Sequence, residues 1–366
     1  MSTAAPNGAT AASFAIGCGL GWLAERRLAD PGRSGPLTPP PMPAADRELT
    51  VAADDGTSLH VEVRGPWDAT GPADTAAAPT LVLVHGWTMQ RGVWRHQLAA
   101  LARRWRVVAY DQRGHGRSAM PANADWSAPT LGGDLRRVCD ATVPTGERCV
   151  IAGHSMGAMA LLALAQTEPG WARERVAGSV LASTGASELW RRSALCRDKA
   201  ILAALGRPLV PWLLGPWGPV GLRADLMYYI TRAVALTAGA EPRAVAEVER
   251  MVLECPARTR ARVAAMLVAL DVSGGIPLVP GPVEVLVGEH DRLTPPHQAH
   301  RLVSERDDAE LVVLDDTGHM APLEAPETLN ARLDAFARAV MGSRATGPVA
   351  PRGSQGLGQG REAAGG

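Results

Sequence analysis

Residues 149–157 place the tightest demand on how this chain can fold. Cys149-Val150-Ile151-Ala152 is a continuous apolar run, Gly153-His154-Ser155-Met156-Gly157 follows with no spacer, and an Ala/Leu-rich stretch continues from Ala158. The pattern predicts a buried strand, a sharp reversal and a helix, with one serine at the apex. The two glycines suit points where the chain turns and backbone comes close to backbone, and the serine must hold a strained conformation that lifts its Oγ clear of the sheet. In a chain with 39 glycines a bare Gly-x-Ser-x-Gly carries little weight, and the plain alternative is a glycine-rich loop. What separates the two is whether the chain also supplies a histidine, an acid and a pair of backbone donors.

The flanking pattern is one of strands and helices in alternation. Leu49–Val51 and Leu59–Val63 flank Asp54-Asp55-Gly56, a hairpin signature with period-two patterning. Thr80–Val84 and Trp105–Tyr110 are apolar throughout, as strands covered on both faces require, and Trp94, Leu98 and Leu101 form the stripe of a helix between them. Further strands are expected at Cys149–Ala152, Gly178–Ala182, Val283–Val287 and Glu310–Leu314. Such alternation implies an α/β fold with a mainly parallel, twisted sheet flanked by helices. Between Ala182 and Pro282 the strand rhythm stops for far longer than a loop allows, so residues 185–281 are expected to form an inserted helical cap. Its candidate helices are Glu188–Leu205, Leu222–Ala238, Pro242–Glu254 and Arg258–Leu270. The catalytic core then comprises residues 49–184 and 282–341, residues 1–48 form an arm and Pro-rich linker, and residues 342–366 read as a disordered tail.

Composition narrows the partners. The 37 basic and 37 acidic residues cancel and are interleaved, which argues against nucleic acid and for a small, near-neutral substrate. Five cysteines without regular spacing argue against a disulfide framework and for a reducing, cytoplasmic setting. Residues 9–24 are small and apolar but short for a span, and Gly17, Gly19 and Gly21 weaken them as a helix; a packed or disordered arm is favoured over weak membrane association. No cofactor is expected, because Gly17–Gly21 and Gly356–Gly360 do not follow strands of a βαβ unit. No metal is expected either: His290, His297 and His300 cluster in sequence without completing a ligand set.

A serine hydroxyl becomes a nucleophile when an imidazole takes its proton and a carboxylate orients that imidazole. The best histidine is His319, after the last expected strand; the best acid is Asp291, just beyond the strand ending at Val287, with Asp315 and Asp316 as alternatives beside the histidine. Ser155, Asp291 and His319 would then lie at carboxyl ends of strands, where open α/β sheets bind ligands. An oxyanion needs two donors, for which the backbone N–H groups of Met156 and Trp87 are the candidates. Within the substrate-facing loop His85-Gly86-Trp87, Gly86 lets the Trp87 N–H turn inward, and His85 reads as a residue that shapes the loop.

These residues resemble the α/β-hydrolase family: His85-Gly86-Trp87, Asp111–Ser118, Gly153–Gly157, Gly288–Pro295 and Gly318–Glu324, in family order between Val51 and Met341. The resemblance implies Ser155 as nucleophile, His319 as general base, Asp291 as orienting acid, Trp87 and Met156 as oxyanion donors, and Ala182–Pro282 as a lid. Ala158 departs from the pattern, since many members carry a further glycine there. Trp190, Trp212, Trp217, Tyr228 and Tyr229 concentrate aromatic content in the expected cap, either as helix packing or as the wall of an apolar pocket. The favoured reaction is hydrolysis of a small hydrophobic carboxylic ester. Lipase-like cleavage, haloperoxidase-like perhydrolysis, carbon–carbon bond hydrolysis and, on different grounds, a non-catalytic ligand-binding role are the alternatives.

Overall fold

The structure is a computed structural model that describes residues 42, 44–65, 79–121, 123–194 and 225–342. Eight strands form one sheet: β1 (Arg47–Ala52), β2 (Ser58–Arg64), β3 (Thr80–Val84), β4 (Arg106–Tyr110), β5 (Cys149–His154), β6 (Val176–Ala182), β7 (Val283–Gly288) and β8 (Ala309–Leu314). Their spatial order is β1-β2-β4-β3-β5-β6-β7-β8. The hairpin of β1 and β2 is antiparallel, β2 meets β4 antiparallel, and every later pairing is parallel.

Period-two alternation decides which side chain goes to which face. In β3, Val82 and Val84 join one buried cluster while Leu81 and Leu83 join the other, and in β4 Val108 and Tyr110 separate in the same way from Val107 and Ala109. Both faces are covered, which is why these strands read as unbroken apolar runs. The helices are α1 (Arg95–Leu101), α2 (Ala128–Thr142), α3 (Met156–Thr167), α4 (Pro169–Arg175), α5 (Leu189–Arg192), α6 (Asp225–Ala235), α7 (Pro242–Glu254), α8 (Ala257–Ala269), α9 (Pro296–Ser304), α10 (Ala321–Glu324) and α11 (Pro326–Met341). Helices α2, α3 and α9 contribute to the cluster on one face, and α1 and α11 to the other. Helix α3 is buried from Met156 to Ala165, so the segment after Ser155 is apolar all round rather than striped.

Between β6 and β7 the described residues hold α5 to α8, and a 3-10 turn, Ser273–Leu278, leads back to the sheet. That turn packs directly on α3: a Cβ on Gly275 would stand 2.1 Å from the Leu162 carbonyl oxygen. Most of the expected helix Glu188–Leu205, together with Trp212 and Trp217, lies outside the described residues, as do nearly all of the arm and the tail. Among the described residues no helix is long and apolar enough to cross a membrane.

Strand order also shows where a ligand belongs. From β3 the chain crosses to β4 on one side and then to β5 on the other. The connections leaving the carboxyl ends of β3 and β5 therefore diverge and open a crevice between them. Trp87 and Ser155 stand at those two ends.

Candidate active site

Ser155 occupies the turn between β5 and α3 with φ 51° and ψ −117°, a conformation that L side chains rarely adopt. Neighbours over-determine it. The Ser155 N–H donates to Ala182 O at 2.8 Å, and its carbonyl accepts from Ala158 N at 3.0 Å and from Thr184 Oγ1 at 3.0 Å. Gly157 is required by close approach, since a Cβ there would lie 2.2 Å from Val84 O. The end of β3 is thus pressed against the first turn of α3, and Gly86 follows suit: its Cβ would meet Ser155 Cβ at 3.2 Å. The backbone N–H groups of Met156, at the start of α3, and of Trp87 have no acceptor among the described residues.

His319 and Asp291 meet. His319 Nδ1 donates to Asp291 Oδ2 at 2.8 Å, and the carboxylate is otherwise held by Leu293 N at 2.9 Å, Thr294 N at 2.8 Å and Thr294 Oγ1 at 2.9 Å. With Nδ1 carrying the proton, Nε2 is the nitrogen left to accept one. Of the alternative acids, Asp315 is exposed and the Asp316 side chain is 99% exposed, so both point to solvent. The His319 backbone is tied to the residue before the serine: His154 Nε2 donates to His319 O at 2.8 Å, and the two rings lie 5.0 Å apart. Ser155 Oγ and His319 Nε2 are not hydrogen-bonded to each other among the described residues.

Three buried histidines hold the loops around this site. His85 Nδ1 donates to Gly86 O at 2.7 Å and Nε2 accepts from Gln112 N at 2.9 Å. His115 Nδ1 donates to Arg113 O at 3.0 Å and Nε2 accepts from Thr88 N at 3.3 Å. Burial pushes His85 down to about 4, and His115 and His154 down to about 3, so all three are neutral clamps at ordinary pH. His85 is fully buried and both of its ring nitrogens bond to backbone. Gly86 keeps its place beside Ser155.

Sequence reasoning missed Thr184, Thr294 and the partner of His154. Thr294 had a local signal, an acid three residues before a threonine, the spacing of a side-chain turn. For Thr184 and His154 the partners, Ser155 and His319, lie just beyond the ends of other strands, and nothing nearby in sequence announces them.

Comparison with known proteins agrees with this architecture. The model of the alpha/beta hydrolase family matches residues 81–332. A provisionally named carbamate hydrolase, RutD, from Variovorax paradoxus is 31% identical over 76% of this chain and 96% of that protein. A pimeloyl-acyl-carrier-protein methyl ester esterase from Nitrosospira multiformis is 26% identical over 71% of this chain and 95% of its own length. Among solved structures, a thermophilic esterase from Thermogutta terrifontis superposes with a TM-score of 0.64 at 23% identity, covering 80% of this chain and 99% of that one. These relatives support a hydrolase activity for the chain. With a family model spanning most of its length and the matching strand order, helices and serine turn, the chain belongs to the alpha/beta hydrolase family.

Proposed function

We propose that the protein is a serine hydrolase that cleaves a small carboxylic ester with a hydrophobic acyl or alcohol group. The observation that carries this reading is the 2.8 Å bond from His319 Nδ1 to Asp291 Oδ2, on a residue whose carbonyl is tied to the ring next to Ser155. His319 Nε2 takes the hydroxyl proton as Ser155 Oγ attacks the ester carbonyl. The oxyanion forms against the N–H groups of Trp87 and Met156, the latter at a helix N-terminus that favours negative charge. The imidazolium, stabilised by Asp291, gives its proton to the departing alkoxide; water then attacks the acyl-enzyme as it loses a proton to the same nitrogen, and that proton passes to Ser155 Oγ as the acid leaves. The apolar preference is supported by Met227, Tyr228 and Tyr229 of α6, all buried in the insertion between β6 and β7. The relative named for carbamate cleavage favours a second substrate class for the same groups.

The test is a series of aryl esters of increasing acyl length, with a matched aryl carbamate, assayed with wild type and Ser155→Ala beside labelling by a fluorophosphonate. Ester turnover and labelling by wild type, both reduced by about 10⁴-fold or more in Ser155→Ala, are the expected result. Undiminished turnover by the variant would remove Ser155 from the chemistry. Faster carbamate than ester turnover would move the substrate class, and no turnover with no labelling would favour a ligand-binding role.

A further inference from the structure

Resting on the serine hydrolase reading, one half-buried carboxylate outside the three proposed reacting side chains stands out by what it joins. Glu324, at the end of α10, accepts from Met320 N at 2.9 Å through Oε1 and from Thr237 N at 2.8 Å through Oε2. The Gly318 backbone lies against the same carboxylate, since a Cβ on Gly318 would lie only 2.9 Å from Oε1. Oε1 thus holds the residue after His319 and packs against the residue before it, while Oε2 holds the chain just past α6. No cationic side chain pairs with Glu324 among the described residues; the N–H groups of Met320 and Thr237 hold its two oxygens.

The end of α6 reaches the same place. The last carbonyls of a helix have no partner within it. Here Ala235 O accepts from His319 N at 3.0 Å, and Ala233 O accepts from Arg292 Nη1 at 2.6 Å, next to Asp291. Leu236 packs on the Gly318 backbone, within 3.0 Å of where a Cβ would be. His319 is therefore suspended between His154 on the elbow side and the end of α6 on the other. Only a group with two acceptor oxygens and no hydrogen can serve both strands of this junction.

We propose that Glu324 is a positioning residue: its carboxylate fastens the His319 loop to the end of α6, so that the imidazole is held in line with Ser155 only while that helix is seated. Glutamine at this position would present an amide N–H to one of the two junctions and lose it. Aspartate would keep the charge but, being one methylene shorter, could not reach both. Burial holds the Glu324 carboxyl above its ordinary range, so acid would act in the same direction as glutamine by turning one acceptor into a donor.

The experiment compares wild type, Glu324→Gln and Glu324→Asp by three readouts: kcat and KM on a short ester, the rate of fluorophosphonate labelling, and the low-field proton resonance of the His319 to Asp291 hydrogen bond. Both variants are expected to keep the circular dichroism of the wild type, to lose about 10- to 100-fold in kcat and in labelling rate with KM within about twofold, and to broaden or lose the resonance. Wild-type kcat, labelling rate and resonance in Glu324→Gln would overturn the proposal while leaving the Ser155 chemistry intact. A wild-type chain that does not label at all would overturn the hydrolase reading and this proposal with it. Should neither variant fold, amide hydrogen exchange of the wild type decides: the amides of Gly318, His319, Met320 and Thr237 are expected to open together, and independent exchange of Thr237 from the other three would overturn the proposal.

Discussion

Asp291 is the side chain whose surroundings most constrain its role. Its two oxygens accept four bonds, three of them from Leu293 and Thr294, and these fix the carboxylate before His319 arrives. Asparagine has nearly the same shape but no charge to stabilise an imidazolium, and it can offer an N–H where the ring also donates. Asp291→Asn is expected to lower kcat about 10³- to 10⁴-fold with little change in KM, read from steady-state kinetics on the best ester of the acyl series. Thr294→Val removes a single donor to Oδ2 and should cost about tenfold in kcat, which corresponds to roughly 1.4 kcal/mol. Loss of KM rather than kcat in either variant would assign these residues to substrate binding instead. Asp291 and His319 were legible because each follows a recognisable strand. The roles of Thr184 and His154 were not, since their hydrogen bonds go to segments far away in the chain.

The strand, turn and helix around Ser155 work as one piece of packing. Helix α3 can start where it does because Gly157 lets the Val84 carbonyl come within 2.2 Å of where a Cβ would be. Gly157→Ala forces β3 and α3 apart beside both proposed oxyanion donors. It is expected to cost roughly 3 kcal/mol or more and to lower Tm by roughly 10 °C, measured by thermal denaturation. An unchanged Tm would mean that this contact relaxes freely. The strands themselves were readable from their apolar runs: Thr80–Val84 matches β3, and Glu310–Leu314 is one residue short of β8. The expected strand from Trp105 begins instead at Arg106, because Trp105 ends the preceding turn, its N–H bonded to Leu101 O at 2.9 Å. The 3-10 turn Ser273–Leu278 was not anticipated; it contains Pro277 and two glycines, and Gly275 packs directly against α3.

The insertion and the sheet are joined by a buried ion pair between Arg95 of α1 and Glu247 of α7, supported by Gln90 Nε2 donating to Glu254 Oε2 at 3.0 Å. For Glu247 the loss of water outweighs the attraction of Arg95 and Arg250, so its carboxyl is pushed up from the ordinary 4.5 to about 7. In that window the folded chain keeps a proton that the unfolded chain has released. Stability from this group is therefore full below pH 4.5, declines as pH rises, and levels off above about 7. Glu247→Gln has no such proton to lose. Urea unfolding of both proteins at several pH values should show the wild type losing about 3 kcal/mol relative to the variant across the window. Parallel profiles would show that the carboxyl is ionised throughout. Only above that window does the variant leave Arg95 without a charged partner that the wild type supplies.

Local chemistry along the chain was enough to establish the alternation of strands and helices, the serine turn and the chain order of serine, acid and histidine, because periodicity and turn preference depend on residues within about one helical turn of each other. Which acid meets the histidine, and what holds that histidine in place, depended on packing. Asp291 and His319 are 28 residues apart, Thr237 and Glu324 are 87 apart, and His154 and His319 are 165 apart. A hydrogen bond across such distances forms only after the sheet has brought strand ends to one rim and buried the polar groups there, where leaving them unpaired costs more than ordering them.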